Sequence, residues 1–157
     1  MKIFRMAVFR QDCLVVTATI AMSFLLLLLL GCQDGRPKRF PVSGVVLLNG
    51  KPLTHGTIRF YPQGGRPAAA KIDKQGRFIL SCFEQNDGVV PGTHPVAVDA
   101  SEMLDETTVR WYAPPHYASP QTSGITKTIE GPTSSLKIEL TWDKQHRKPF
   151  TQKTRTP

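Results

Sequence analysis

The chain has 157 residues, a formal net charge of +8 and three cysteines. This length provides one domain of ordinary size with short tails and leaves no room for several large domains. The sequence has no internal repeat of solenoid period and no long low-complexity tract, which excludes solenoid and fibrous architectures.

The N-terminal segment has the pattern of an export signal. Three basic side chains come first, on Lys2, Arg5 and Arg10. An almost entirely apolar stretch follows over residues 14–30 and ends before the small residue Gly31. A permanent membrane span requires roughly 20 apolar residues, and this stretch is a little shorter. A short apolar core between a basic start and a small residue is typical of a signal peptide, which we predict over residues 1–31.

The end of this stretch, Leu29-Leu30-Gly31-Cys32, resembles the lipobox of bacterial lipoproteins. The resemblance implies cleavage between Gly31 and Cys32 and a diacylglyceryl group on the sulfur of Cys32, which makes a membrane the first expected partner. Two or three acyl chains, at about 0.8 kcal/mol per buried methylene, hold a protein on a bilayer without a span. The implied location is the cell envelope, on the inner or the outer membrane, facing the periplasm or the cell surface. The alternative is an uncleaved signal anchor in which Cys32 has no role.

The other cysteines predict a fold without disulfides. Residues 33–39 are polar or turn-forming, and residues 32–40 are predicted to be a lipidated tether. Cys13 lies in the predicted signal and Cys32 would carry lipid, so Cys82 has no partner within the chain. Cys82 shares a predicted strand face with two apolar side chains, which indicates a buried core residue rather than an activated nucleophile.

Alternating apolar residues between Gly/Pro turns predict about seven short strands from residue 41 to residue 142. In residues 57–61, Ile58 and Phe60 point inward, and in the final strand Ile138 and Leu140 do so. Asn49-Gly50 is a strong hairpin signal because both positions tolerate a positive φ. The predicted fold class is all-β, a single antiparallel β-sandwich. The strands are predicted at residues 42–48, 57–61, 68–72, 77–82, 93–100, 124–129 and 136–142.

A set of strand and turn motifs carries a second resemblance. In chain order they are Gly44-Val45-Val46, Asn49-Gly50-Lys51-Pro52-Leu53, Gly56-Thr57-Ile58-Arg59-Phe60, Asp73-Lys74-Gln75-Gly76-Arg77-Phe78 and Pro91-Gly92-Thr93. Their order and spacing resemble the carboxypeptidase regulatory-like domain, a transthyretin-like sandwich. The resemblance implies an accessory module over residues 41–142, because the peptidase chemistry of such proteins belongs to a separate domain. It implies no ligand site.

A long connection over residues 101–123 holds the candidate binding loop. Its contact residues would be aromatic: Trp111, Tyr112, His116 and Tyr117. Loops at the ends of sandwiches commonly carry binding function, and aromatic side chains make good contacts. The alternative is that Trp111 and Tyr112 fold back and close the core.

The sequence contains no convincing catalytic group. The histidines are His55, His94, His116 and His146, and none forms a His-x-His or His-x-x-x-His pair of the kind that binds metal. The sequence also lacks a Gly-x-Ser-x-Gly elbow. We therefore predict no enzyme activity, no metal and no cofactor. The alternative is a small exported enzyme or ligand carrier that uses the aromatic loop.

Residues 143–157 are predicted to be a basic disordered tail. It could contact anionic lipid headgroups or an acidic envelope polymer, or remain a free soluble end. The predicted partners are thus the membrane through Cys32 and an envelope protein or anionic polymer. Nucleic acid is excluded as a partner because an exported lipoprotein has no access to chromosomal DNA. No small-molecule ligand is identified. The predicted function is a non-catalytic binding or structural module of the envelope.

Overall fold

Residues 35–142 and 147–153 are described by the computed structural model of the chain, and they form β-strands joined by turns. The only helical element in this part of the chain is one turn of 3-10 helix at Pro115–Ala118. The described residues contain no helix that is long and apolar enough to cross a membrane. The strands are β1 (Val42–Leu48), β2 (Lys51–Pro52), β3 (Thr57–Phe60), β4 (Ala68–Lys71), β5 (Arg77–Ile79), β6 (Gly92–Asp99), β7 (Ser101–Asp105), β8 (Thr108–Trp111), β9 (Ile125–Ile129), β10 (Thr133–Leu140) and β11 (Phe150–Lys153).

The first sheet is built around β1, which pairs with β10 on one side and with β2 and β5 on the other. The turn from β1 to β2 is formed by Asn49 and Gly50, which have φ values of 50° and 75°. These are the left-handed conformations that a tight hairpin turn requires, and Asn-Gly adopts them readily. The hairpin predicted from this dipeptide is therefore confirmed.

The second sheet has the strand order β4-β3-β6-β9, and all its pairs are antiparallel. Ile58 and Phe60 of β3 are fully buried and lie opposite Val98 and Val96 of β6. The inward direction predicted for Ile58 and Phe60 is confirmed. It follows from the two-residue period of a strand with one face on a core.

Both sheets contribute to one hydrophobic core. The cluster joins Val46, Phe78 and Ile138 of the first sheet to Ile58 and Phe60 of the second. The rings of Phe60 and Phe78 lie 6.4 Å apart between centroids, within the range of favourable aromatic contacts. An all-β chain with two sheets around a shared core is consistent with a β-sandwich.

The first sheet differs from the predicted antiparallel arrangement in one pair. β1 and β10 run parallel, with Val46 opposite Ile138 and Leu48 opposite Leu140. A Cβ atom added to Gly44 would lie only 2.0 Å from the carbonyl oxygen of Leu136. A residue without a side chain is thus required at this point of the parallel pair.

The strand count and two loop assignments also need correction. The described residues form eleven strands rather than about seven. The connection over residues 101–123 contains β7 and β8, which pair as a hairpin. Part of the tail predicted as disordered, residues 150–153, forms β11 and pairs with β8. β7 and β11 escaped prediction because both of their faces are largely exposed, so they lack an apolar period.

Candidate functional site

The aromatic residues of the predicted binding loop occupy two separate places. Trp111 ends β8, where it lies opposite Ser101 and Phe150. The hydroxyl of Tyr112 donates to Glu102 across the hairpin at 2.6 Å. The ring centroid of Tyr112 lies 4.7 Å from that of His55. Neither Trp111 nor Tyr112 contributes to a described pocket.

His116 and Tyr117 lie together in the 3-10 turn, with ring centroids 4.0 Å apart. Tyr117 is buried and belongs to the core cluster. Its hydroxyl accepts from the backbone N–H of Thr141 at 3.2 Å and lies 3.4 Å from the carbonyl of the same residue. Tyr117 therefore fastens the loop to the end of β10. A binding role for the four aromatic residues stays a prediction.

The sequence-selected histidines do not form one polar pocket. His94 borders a cleft on the second sheet, whereas neither His116 nor Tyr117 lines it. His146 lies outside the described residues, as do Gly31 and Cys32. Among residues 35–142 and 147–153, no three His, Cys, Asp or Glu side chains are grouped so that they could hold a metal ion.

Cys82 is buried, as predicted from its strand face, and is only 5% exposed. Its sulfur lies 3.5 Å from the carbonyl of Arg66. Burial raises the pKa of the Cys82 thiol, and the negative charge of Asp87 adds to this effect. A thiol with a raised pKa is a poor nucleophile at neutral pH. Cys82 thus acts as a small core residue.

A cleft of about 720 Å³ lies between the loop that follows β3 and the entrance to β6. This volume is in the range of small-molecule sites, about 300–1,000 Å³. The pairing of Phe60 with Val96 in adjacent antiparallel strands brings the two loops side by side. The walls are provided by Pro37, Lys38, Pro62, Gln63, Gly64, Gly65, Arg66, Phe83, Val90, Pro91, Gly92, Thr93 and His94.

The charged side chains of the cleft wall are both basic. Lys38 and Arg66 line the cleft, and among its described lining residues none is Asp or Glu. The guanidinium carbon of Arg66 lies 5.6 Å from the ring centroid of Phe83, and the Nζ of Lys38 lies 5.0 Å from that of Phe40. Both cations are therefore positioned by aromatic rings, at distances typical of cation–π contacts. The cleft is electropositive.

A hydrogen-bonded turn at residues 82–87 positions Phe83 in the wall of the cleft. One carboxylate oxygen of Asp87 accepts from the backbone N–H of Cys82 at 2.6 Å, and the other accepts from those of Phe83 and Glu84 at 3.1 and 3.0 Å. Asp87 also pairs with the Nε of Arg39 at 2.9 Å. These contacts fix the backbone of Phe83, whose ring in turn lies under Arg66.

His94 lies at the inner end of the cleft wall and is fully buried. Its Nε2 donates to the carbonyl of Val90 at 2.9 Å. Its Nδ1 has no hydrogen bond of normal geometry in the part of the chain that the structure describes. Burial lowers the pKa of His94, and the carbonyls of Val90 and Tyr61 oppose this effect only in part. Burial therefore favours the neutral form of the ring.

The sequence did not predict the cleft, because the residues that line it are far apart along the chain. Lys38 lies in the segment predicted as a tether, Arg66 in a Gly/Pro loop and Phe83 after a strand. The available signal was the presence of two Gly/Pro-rich loops at the facing ends of β3 and β6, since such loops at sheet ends often bind ligands.

In comparisons with known proteins, the chain matches no family model, no curated protein and no solved structure.

Proposed function

We propose that the chain is an exported lipoprotein, anchored to a bacterial membrane through lipid on Cys32, whose β-domain is a non-catalytic binding module of the cell envelope. The observation that carries this proposal is the sequence Leu29-Leu30-Gly31-Cys32 after a basic start and an apolar stretch. The first strand begins soon afterwards, at Val42. An anchor followed by a short polar segment and one domain is the arrangement that a membrane-tethered module requires.

We also propose that this domain belongs to the carboxypeptidase regulatory-like, transthyretin-like group. Two features support the assignment. The motifs of the resemblance fall in chain order on β1, the Asn49-Gly50 hairpin, β3, β5 with the turn before it, and the start of β6. The two sheets also share one core. Accessory domains of this kind bind or position rather than catalyse.

A binding role is supported by the electropositive cleft. It offers basic side chains, rigid proline walls and a small-molecule volume in one place. Binding sites are typically concave and mainly apolar, with a few polar groups that fix the ligand. The basic character agrees with the anionic envelope partner expected from the composition.

Anchoring is tested by producing wild type, Cys32→Ser and the matched control Cys13→Ser in bacterial cells and separating membranes from soluble material. We expect wild type and Cys13→Ser in the membrane fraction and Cys32→Ser as a precursor without lipid. In cells that lipidate the chain, an inhibitor of the lipoprotein signal peptidase should cause a larger precursor of the wild-type protein to accumulate. Identical behaviour of Cys32→Ser and wild type, with no precursor under the inhibitor, would overturn the proposal.

A further inference from the structure

The electropositive cleft continues into a neighbouring cavity. The second cavity has a volume of about 570 Å³ and shares Pro62, Gln63 and Thr93 with the wall of the cleft. Its far side is formed by Pro120 and Gln121, which follow the aromatic loop. Two cavities with a common wall form a groove that accommodates more than one unit of a chain-like ligand.

The basic residues of this groove retain donors for a ligand. Arg66 is exposed and, among the described residues, forms no ion pair; its guanidinium is placed by the ring of Phe83. The guanidinium carbon of Arg39 lies 5.1 Å from the centroid of the same ring, but the charge of Arg39 is balanced by Asp87. Among residues 35–142 and 147–153, no ion pair balances the charge of Lys38 or of Arg66. A guanidinium presents a fork of N–H groups that matches the two oxygens of a carboxylate or phosphate.

The remaining wall combines apolar and hydroxyl-binding groups. Pro62 and Pro91 present rigid apolar surfaces, and Gln63 presents an amide next to them. The hydroxyl of Thr93 lies 3.0 Å from that of Thr128, and a hydroxyl with one such partner can still accept a further hydrogen bond. Sugar rings have this mixed character, with C–H faces that pack on apolar surfaces and hydroxyls that hydrogen-bond to amides. The apolar and hydrogen-bonding surfaces therefore fit a sugar ring, and the basic side chains fit a negatively charged group on the same ligand.

We propose that the groove binds an anionic saccharide, with its carboxylate or phosphate on Arg66 and Lys38 and its sugar ring against Pro62, Gln63 and Thr93. This inference deepens the proposed function, on which it rests for the source of the ligand, because acidic polysaccharides are envelope components. It assigns the binding surface to the groove rather than to Trp111, Tyr112, His116 and Tyr117.

Three matched probes distinguish the contribution of the negative charge to binding from that of the sugar ring. They are phenyl glucuronide, phenyl glucoside 6-phosphate and neutral phenyl glucoside, which share one ring and differ in the group at C6. Each is titrated by calorimetry into the full-length protein in a polyoxyethylene detergent, which has no sugar headgroup. We expect one or both anionic probes to bind and the neutral probe to bind at least about tenfold more weakly, as expected for loss of a charge-assisted contact. The stronger of the two anions identifies carboxylate or phosphate as the natural group.

Matched variants locate the site. Arg66→Gln removes a groove charge, and Arg110→Gln removes an equal charge from the exposed residue of β8. Gln63→Glu adds a carboxylate to the groove wall, and Gln75→Glu adds one at an exposed position outside the groove. We expect Arg66→Gln and Gln63→Glu each to weaken binding about tenfold, and the two control variants to change it less than twofold.

Equal weakening by Arg66→Gln and Arg110→Gln would overturn the proposal, because it would indicate a general charge effect. Absence of binding for both anionic probes, or equal binding of the neutral probe, would overturn it as well. Anchoring is read independently with Cys32→Ser, which should bind the anionic probes like wild type. Binding in a protein that is never lipidated would retain the groove and overturn only the membrane anchor, whereas lipidation without binding would overturn only the groove.

Discussion

The Nε of Arg39 lies 2.9 Å from a carboxylate oxygen of Asp87, and this pair joins the segment before β1 to the turn after β5. The backbones of the same two segments are also bonded, since Phe40 and Val89 exchange N–H···O bonds of 2.8 and 3.0 Å. Burial alone would raise the pKa of Asp87, but the backbone N–H groups of Cys82, Glu84 and Phe83 and the charge of Arg39 together lower it. The ionised carboxylate is therefore a structural element of the cleft.

Replacing Asp87 by Asn should destabilise the domain by about 2–3 kcal/mol, because hydrogen bonds to a charged group are lost and partly buried donors are left unsatisfied. Urea unfolding at pH 7 measures the change, with the exposed Glu130→Gln as control. The wild-type contribution is complete above the unfolded pKa of about 3.9 and is lost as the pH falls through the lower folded pKa. A change below about 0.5 kcal/mol in Asp87→Asn would contradict the structural role.

His94 should make the domain less stable in mild acid. Its folded pKa lies below the unfolded value of about 6.5, so the unfolded chain binds the proton more readily. The contribution of His94 to the free energy of unfolding is fully present above about pH 6.5. It is lost below this pH, by up to about 1.4 kcal/mol per pH unit, until the folded pKa is reached. We expect the unfolding free energy of wild type to fall between pH 7.5 and 5.5.

The variant His94→Gln retains a donor for the carbonyl of Val90 but does not titrate, so this fall should become smaller. His55→Gln serves as the control, because His94 is intact in it and the fall should persist. The assignment would be wrong if His94→Gln and wild type lost the same free energy between the two pH values.

Gly44 should tolerate no side chain. An added Cβ would lie 2.0 Å from the carbonyl oxygen of Leu136 in the parallel partner strand, so β1 and β10 would have to separate. Gly44→Ala should cost at least about 1–3 kcal/mol, the usual cost of overpacking. Gly131→Ala is the matched control, because an added Cβ meets nothing within 4 Å there. Equal urea midpoints for the two variants would contradict the parallel pairing described for β1 and β10.

Truncation after residue 142 should expose the edge of β8. β11 pairs with β8 from Phe150 opposite Trp111 to Lys153 opposite Thr108, and its removal leaves amides of β8 without their cross-strand partners. Hydrogen exchange should therefore accelerate at Thr108–Trp111 and remain unchanged in β3, which lies in another sheet. Unchanged protection of β8 after truncation would show that β11 does not form in solution.

The core strands were predictable because burial on one face leaves a two-residue period in the sequence. Ile58 and Phe60 in β3 show this period and are fully buried. In the hairpin of β7 and β8, Met103 and Leu104 are exposed neighbours instead, so no alternation marks the strand. The parallel pairing of β1 with β10 joins segments far apart in the chain, and it leaves no local pattern.

The candidate groove was unpredictable for the same reason. Lys38 lies before β1, and Arg66 and Phe83 lie in two different connections. Only the pairing of β3 with β6 brings the groove loops together. The aromatic loop, by contrast, was conspicuous in the sequence because Trp111, Tyr112 and Tyr117 are large. Tyr112 and Tyr117 pack on the core, where a large aromatic side chain buries the most apolar area.

The claim that lipid on Cys32 holds the chain on a membrane is tested by intact-mass spectrometry of the protein purified from bacterial membranes. We expect a mature chain that begins at Cys32 and carries the added mass of a diacylglyceryl group, with or without a further acyl group on its amino terminus. Proteolysis should place that mass on the peptide containing Cys32. A chain that retains residues 1–31, or one that begins at Cys32 with an unmodified thiol, would contradict the claim.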